Sequence, residues 1–395
     1  MNICDIFSEY DKNLHVKLHL DPLGFQVVWS NLGQEIFQNR LTTVAFDIRN
    51  YNLNLFNHII IYELEFKSDE LFSKEEKEKL IINLENIFVF SWYQYQDWRS
   101  GILGSFNAKR KFKNLKKLKI DLNEKIEDIE VLKRQKVLGV NGRYKGPFIR
   151  IGFFDEEYKY NEEMMNEAKN QLFKNKSAKK LIKKLVELFE KEQFLIDSNI
   201  TKQYNEIFAE RKKLELKEFW KSKLLDTDEA KKIYKILLKD DSLSVKEIFG
   251  KCPKICKTAQ KIRKIEPYLA YLYLLFNYFL ILDGENILEI KYFSKLNQYK
   301  NEIKNIEFDR KNELLNIKDA KSLIEYHKHI MQMRNQRPWL EEVDGKIKVN
   351  ILEDVDKEKL EKELSKKIED VDWIHGYYID SLKEIKKGLE GEKDL

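Results

Sequence analysis

The densest chemistry in the sequence is cationic. Lys109, Arg110, Lys111, Lys113, Lys116, Lys117 and Lys119 fall between Gly101 and Ile120, a stretch with no acidic residue that also holds Phe106 and Phe112. Clustered cations beside aromatics suit a phosphate backbone whose bases are free to stack. A second cluster, Lys174, Lys176, Lys179, Lys180, Lys183 and Lys184, takes the polar positions of a helical pattern whose apolar stripe is Leu181, Ile182, Leu185, Leu188 and Phe189. A third is Lys251, Lys254, Lys257, Lys261, Arg263 and Lys264. The ordinary alternative for each is a solvated face in a lysine-rich chain. Because lysine offers a point charge and not a planar fork, contact through these residues would be tolerant of sequence.

Phosphate binding by a loop is the next chemistry to weigh. Gly139, Gly142 and Gly146 are interleaved with Arg143 and Lys145, but the run has neither the Walker spacing nor the dinucleotide G-x-G-x-x-G. It predicts a turn around Gly142, with Arg143 and Lys145 as candidate anion contacts. Asp283 followed by Glu289, Ile290 and Lys291 has the order of a metal-dependent nuclease of the Asp…Glu-x-Lys type, with Mg²⁺ or Mn²⁺ held by the two carboxylates. Glu-x-Lys recurs by chance at Glu65, Glu75 and Glu302, so this is the alternative and not the leading reading. Outside that alternative no cofactor and no metal is expected. Cys252 and Cys256 lack a second ligand pair for zinc, and His327 and His329, two apart on a helix, diverge as surface groups. No serine or cysteine hydrolase arrangement occurs. Arg334, Arg337 and Trp339 crowd a helix end beside two amides as a candidate ligand platform, the alternative being that they cap the helix and pin a hairpin beyond it.

The elements that must position these groups are mostly helical. Only 14 Gly and 5 Pro punctuate 395 residues, too few for an all-β fold, and 24 Phe with 19 Tyr exclude a disordered chain. The 72 basic and 67 acidic residues leave a net charge of +5, so nucleic acid would have to be met by local clusters and not by the overall field. Three cysteines and an N-terminus with acidic residues where a signal peptide is basic point to the cytoplasm. Tyr268 to Leu282 is apolar but shorter than a membrane span and reads as a buried helix, with Pro267 in its first turn and Gly284 past its end.

Along the chain, 43–66 predicts a helix, and Ser73 with Glu76 caps another that closes on Trp92, Tyr93, Tyr95 and Trp98. Asp226 with Glu229 and Ser244 with Glu247 predict two further helix starts, and a helix over 320–336 must stop before Pro338. Asp344-Gly345 between short alternating runs predicts a tight hairpin. Leu360, Leu364, Ile368 and Val371 form one seam of a last helix that docks on the body, and 386–395 reads as a frayed tail. The expected fold is mostly α and multi-helical, with a minor β-hairpin near the C-terminus and an irregular glycine-bearing segment in the N-terminal third. Its expected domains are 1–155, 156–337 and 338–395.

Several short stretches resemble a loosely related set of uncharacterised bacterial proteins encoded beside phage-defence and restriction genes. They are Asp21-Pro22-Leu23-Gly24, Phe37, Thr42-Thr43, Arg49-Asn50-Tyr51, Leu138-Gly139 through Gly152, and Arg337-Pro338-Trp339 leading into Asp344-Gly345. The resemblance implies an accessory protein of antiviral defence and carries over no active site. The functional expectation is a non-enzymatic subunit that contacts DNA or RNA or scaffolds other subunits of one system, without a membrane. A pure protein-interaction subunit is a further alternative.

Overall fold

A computed structural model of the chain describes residues 21–95, 103–208, 216–287, 292–351 and 356–390. It is mostly helical, with nineteen α-helices and four short strands among the described residues. Two compact units interleave along the chain: 37–226 is completed by 380–390, and 21–36 belongs with 227–379.

In the first unit the helix Ile48–Ser68 starts where the Asp47 side chain accepts the Arg49 N–H and ends at Asp69 in the left-handed region, φ 56°. Thr43 to Asp47 stay outside it, because the Asp47 cap fixes the start five residues later than the apolar period suggests. The expected Ser73–Glu76 box is formed, with Glu76 Oε2 taking the Ser73 N–H at 2.7 Å, and opens the helix Lys74–Tyr95. Trp98 lies outside the described residues. Aromatic packing joins these two helices to Ser198–Phe208: Phe56 meets Tyr204 and Phe208 at 5.6 and 5.5 Å, and Phe88 meets Phe208 at 5.5 Å. Ile48–Ser68 is buried almost all round although it carries four asparagines and His58; Asn52 accepts from Trp220 Nε1 at 2.6 Å, whereas the buried side-chain amides of Asn54 and Asn57 have no hydrogen-bond partner among the described residues.

The glycine segment corrects one expectation: no loop surrounds Gly142. Gln135–Leu138 and Val140–Ile151 are helices in succession, the second ending at Gly152 with φ 90°. A Cβ on Gly142 would stand 2.3 Å from the Val137 carbonyl oxygen, so glycine here serves close backbone approach within helical structure.

A strand pair completes this unit. β1, Leu118–Asp121, pairs antiparallel with β2, Gln193–Ile196, in the register Leu118 to Ile196. Residues 386–390 are the end of the helix Ile379–Glu390 and not a tail: Gly388 lies where a Cβ would come within 2.8 Å of Ile48 Cβ, and Glu390 pairs with Lys221 at 2.8 Å.

In the second unit the buried helix reaches from Lys257 to Phe279, ten residues longer at its start than the Pro267 signal suggests. Thr258, Ala259, Ile262 and Ile265 bury the added turns, and that packing outweighs the backbone bond that Pro267 cannot make. Its N-terminus receives Glu229, which accepts the N–H groups of Thr258 and Ala259. Glu229 therefore caps a neighbour and not its own helix, whose cap is Thr227, while Asp226 pairs with Arg40 at 2.8 Å within the first unit. The Ser244–Glu247 box is formed as expected.

The hairpin is where the sequence places it. β3, Leu340–Val343, and β4, Lys346–Val349, are joined by Asp344 and Gly345 at φ 52° and 75°, the type I′ geometry that Asp-Gly favours. The outer edge of β4 is covered by 284–287 through the Gly284 N–H to Ile347 O and Ile347 N–H to Glu285 O bonds. The seam residues Leu360, Leu364, Ile368 and Val371 are all buried in this unit, but on two elements: Lys357–Ser365 is α-helical and Ile368–Asp370 is a 3₁₀ turn. No helix among the described residues is long and apolar enough to cross a membrane.

Candidate nucleic-acid interface

The helix Lys176–Phe189 begins at Asn175, whose side chain accepts the Ala178 N–H at 2.9 Å. It buries Ala178, Leu181, Ile182, Leu185, Val186 and Phe189. That leaves Lys176, Lys179, Lys180 and Lys183 exposed on the opposite side, with Lys184 at the margin. Steps of three and four residues put successive ammonium groups about one helical turn, roughly 5.4 Å, apart along one line.

The helix leads into β2, and the register of β1 against β2 adds a second source of charge. Leu118 faces Ile196, so Lys116 and Lys117 continue beside Asp197. The carboxylate of Asp197 lies 3.8 Å from Lys184 Nζ. Lys113, Lys116 and Lys117 are exposed. Two clusters far apart in the chain thus meet at one end of a four-residue strand pair.

Other residues of the clusters are engaged elsewhere. Lys111 Nζ donates to the carbonyls of Asp128, Ile129 and Glu130 at 3.1, 2.8 and 2.9 Å, closing the end of the short helix Ile126–Ile129, and burial lowers its pKa. Lys109 and Arg110 are exposed on the helix Ser105–Lys111. Phe112 is 1% exposed against Phe90 and offers no face to a base; the Phe106 side chain lies outside what is described. Phe112 is therefore withdrawn from the expected surface, because it is spent on the core. In the third cluster, which belongs to the second unit, Lys261 pairs with Glu35 at 2.9 Å and Lys264 reaches Glu302 at 4.0 Å.

Arg143 and Lys145 each have partners within the protein. Arg143 Nε donates to Leu138 O at 3.0 Å, and Lys145 donates to Glu156 O while lying 4.1 Å over the Tyr158 ring, with burial lowering its pKa. The N-terminus of Val140–Ile151, where a phosphate would sit, already holds a carboxylate: Glu85 Oε1 accepts the Asn141 N–H at 2.7 Å and Oε2 accepts from Gln135 Nε2 at 3.0 Å. Burial pushes the Glu85 carboxyl up to about 7 against these hydrogen bonds.

A buried polar chain runs on from this cap. The Asn141 side chain donates to the Tyr158 hydroxyl at 2.7 Å, and its Oδ1 lies 2.9 Å from His58 Nε2. His58 Nε2 therefore carries the hydrogen and Nδ1 accepts from the Tyr160 hydroxyl at 3.0 Å. Burial drives the His58 pKa down to about 3. Lys77, 4% exposed, pairs with Glu65 at 2.8 Å, donates to Tyr158 O and stands over the Tyr160 ring. The cavity beside Glu85 is lined by Gln135, Gly139, Gly104, Val131 and Leu132 and holds about one water molecule. Glu85 is the sole ionisable group in its wall, so the arrangement is a helix cap with a fixed hydrogen-bond chain and offers no acid–base pair for a substrate. Sequence reading missed it, since the Glu85, Asn141 and His58 partners come from three separate segments.

The Arg-Trp corner pins structure. Arg334 pairs with Asp21 at 3.1 Å, Arg337 is exposed, and Trp339 packs on Phe276. His327 is fully buried and not a surface group: Nδ1 donates to Pro22 O at 2.8 Å and Nε2 accepts the Trp339 N–H at 2.8 Å, while burial lowers its pKa to about 4. His329 is exposed, as expected. Two of the stretches that carry the family resemblance, 21–24 and 337–339, thus meet on one imidazole. The helix itself, Ala320–Met333, ends three residues before the expected stop.

For the nuclease alternative, Glu289 and Lys291 lie outside the described residues, and Asp283 Oδ1 accepts the Val349 N–H at 2.9 Å, fastening the hairpin. No group of three or more His, Cys, Asp or Glu side chains placed to hold a metal ion occurs among the described residues. Comparison with protein-family models, curated proteins and solved structures finds no match to this chain.

Proposed function

We propose that this chain is an accessory subunit that holds nucleic acid by its phosphate backbone, through Lys113, Lys116, Lys117, Lys176, Lys180, Lys183 and Lys184. The observation that supports the reading is the register of β1 on β2, which directs 116–117 toward Asp197, whose carboxylate lies 3.8 Å from Lys184 of the lysine helix. Lysine point charges, with Phe112 buried in the core, favour backbone contact over base stacking. Binding is then tolerant of sequence, and duplex is held at least as well as single strand. Neutralising four or five phosphates gives a slope of log K against log salt of about −4.

Filter binding to duplex and single-stranded DNA at two salt concentrations tests this. The combined Lys116→Glu, Lys117→Glu, Lys180→Glu and Lys183→Glu variant, with helix content and melting unchanged, should lose at least a hundredfold in affinity at low salt. No binding by the unsubstituted protein at low salt removes the proposal. Membership of an antiviral system rests on the resemblance alone; co-purification with the products of neighbouring genes tests that part separately.

A further inference from the structure

The turn that joins the two long helices of the first unit has no part in the proposed interface. Ile48–Ser68 is buried almost all round until its last turn, where Phe66 is exposed, and Leu71 follows past the left-handed Asp69. At 79% and 88% these are the two most exposed large apolar side chains among the described residues. One exposed Leu or Phe is ordinary surface, but two at a single corner form a patch with reason to be covered. The corner is also held fixed. The Phe72 N–H donates to Glu65 Oε1 at 2.8 Å, and Glu65 is itself paired with the buried Lys77. Ser68 Oγ donates to Leu64 O at 3.0 Å. A patch already fixed in place loses little conformational entropy when it is covered.

The order of charges says what covers it. From Phe66 to Leu71 the chain reads apolar, cationic, polar, anionic, anionic, apolar. This pattern is its own complement. A two-fold axis at Ser68 and Asp69 sets Phe66 against the partner's Leu71 and Lys67 against the partner's Glu70, and each contact then occurs twice. Lys67 is paired within its own chain to Glu190 at 2.7 Å, with the two side chains 49% and 44% exposed, and a pair so exposed is weak enough to share its cation. Glu70 is exposed and pairs with no cation among the described residues. We propose that 66–71 is the contact of a weak two-fold dimer of this chain. Two apolar side chains per copy cover far less than the roughly 800 Å² a side of a standard interface, so the dissociation constant falls on the order of 100 µM.

Sedimentation equilibrium of the full-length protein, freed of nucleic acid, from about 10 µM to about 1 mM in physiological salt tests this. The weight-average mass should rise with concentration from 47.6 kDa toward twice that value. The combined Phe66→Asp and Leu71→Asp variant should stay monomeric with its melting unchanged. Lys67→Glu and Glu70→Lys each put like charges across the axis, and each should weaken self-association by about tenfold or more. Mixed in equal amounts, these two single variants place opposite charges at both contacts and should associate as the unsubstituted protein does. The four-lysine variant of the nucleic-acid surface should dimerise unchanged, so this contact stands or falls apart from that reading. A chain still monomeric at the highest concentration overturns the proposal. So does association that survives the combined Phe66→Asp and Leu71→Asp change, or a mixture that associates no better than either single variant.

Discussion

Glu85 and Asn141 are bound by a single 2.7 Å hydrogen bond from the Asn141 backbone N–H to Glu85 Oε1, and through the Asn141 side chain that bond links two groups of opposite pH response. Glu85 is raised from 4.5 to about 7 by burial, so its contribution to stability is full below 4.5 and is lost as pH rises through 7. His58 is lowered from 6.5 to about 3 by burial, so its contribution is full above 6.5 and is lost as pH falls toward 3. Between about pH 4.5 and 6.5 the two slopes, each about 1.4 kcal/mol per pH unit, cancel. Glu85→Gln removes one of them. Urea unfolding should then show the first unit losing about 3 kcal/mol between pH 6.5 and 4.5, a slope that the unsubstituted protein lacks. Identical slopes in both proteins would refute the pairing.

Glu266 plays the corresponding part in the second unit with a different outcome. It is fully buried and accepts from Trp29 Nε1 at 2.7 Å, the Tyr377 hydroxyl at 2.6 Å, and the Ile374 and His375 N–H groups at 2.9 and 3.2 Å. Tyr377 and Tyr378 both have positive φ, 46° and 62°, so this carboxylate holds a strained bend in place. Glu266→Ala orphans four donors and should cost about 3 to 5 kcal/mol. Glu266→Gln keeps an acceptor and should cost roughly half as much. Trp29 stacks on His375 at 5.1 Å, and its fluorescence reports whether the bend is released before the unit unfolds.

Gly142 and Gly146 share a helix and answer substitution in opposite directions. A Cβ on Gly142 meets the Val137 and Lys136 carbonyl oxygens at 2.3 and 2.5 Å, whereas one on Gly146 meets nothing within 4 Å. Gly142→Ala should therefore destabilise by about 2 kcal/mol or more, and Gly146→Ala should stabilise by about 1 kcal/mol. Chemical denaturation of the two variants decides it, and equal shifts would contradict the helical packing described for 135–151.

Arg143 serves as the control for the lysine edge. Its Nε donates to Leu138 O and it is not among the proposed contacts, so Arg143→Gln should leave the salt slope of DNA binding unchanged, while Lys180→Gln should reduce its magnitude by about 1. A loss of slope with Arg143→Gln would move the interface to the glycine segment.

What could be read from the sequence was what local chemistry decides. Asp344-Gly345 specifies its own turn, and the Ser73–Glu76 and Ser244–Glu247 boxes are closed within four residues. Glu229 looked like a partner of Asp226 because spacing alone cannot tell that Thr227 is the cap and that Glu229 faces the next helix. His327 looked like a surface group because its partners, Pro22 and Trp339, lie on either side of it at long and short range. β1 and β2 are four residues each, with more than seventy residues between them, and strands that short have no period to detect. The lysines of the candidate site were legible one cluster at a time; their meeting was not, because it depends on that strand pairing.

The chain order of the units sets a timetable for synthesis. The first unit is left open at residue 226 and is closed only by 380–390, where Gly388 seats against Ile48 and Glu390 takes Lys221. A ribosome must make the whole of 227–379 before the helix that seals Ile48 emerges. Nascent first units therefore wait, partly unsealed, for 380–390 to leave the exit tunnel.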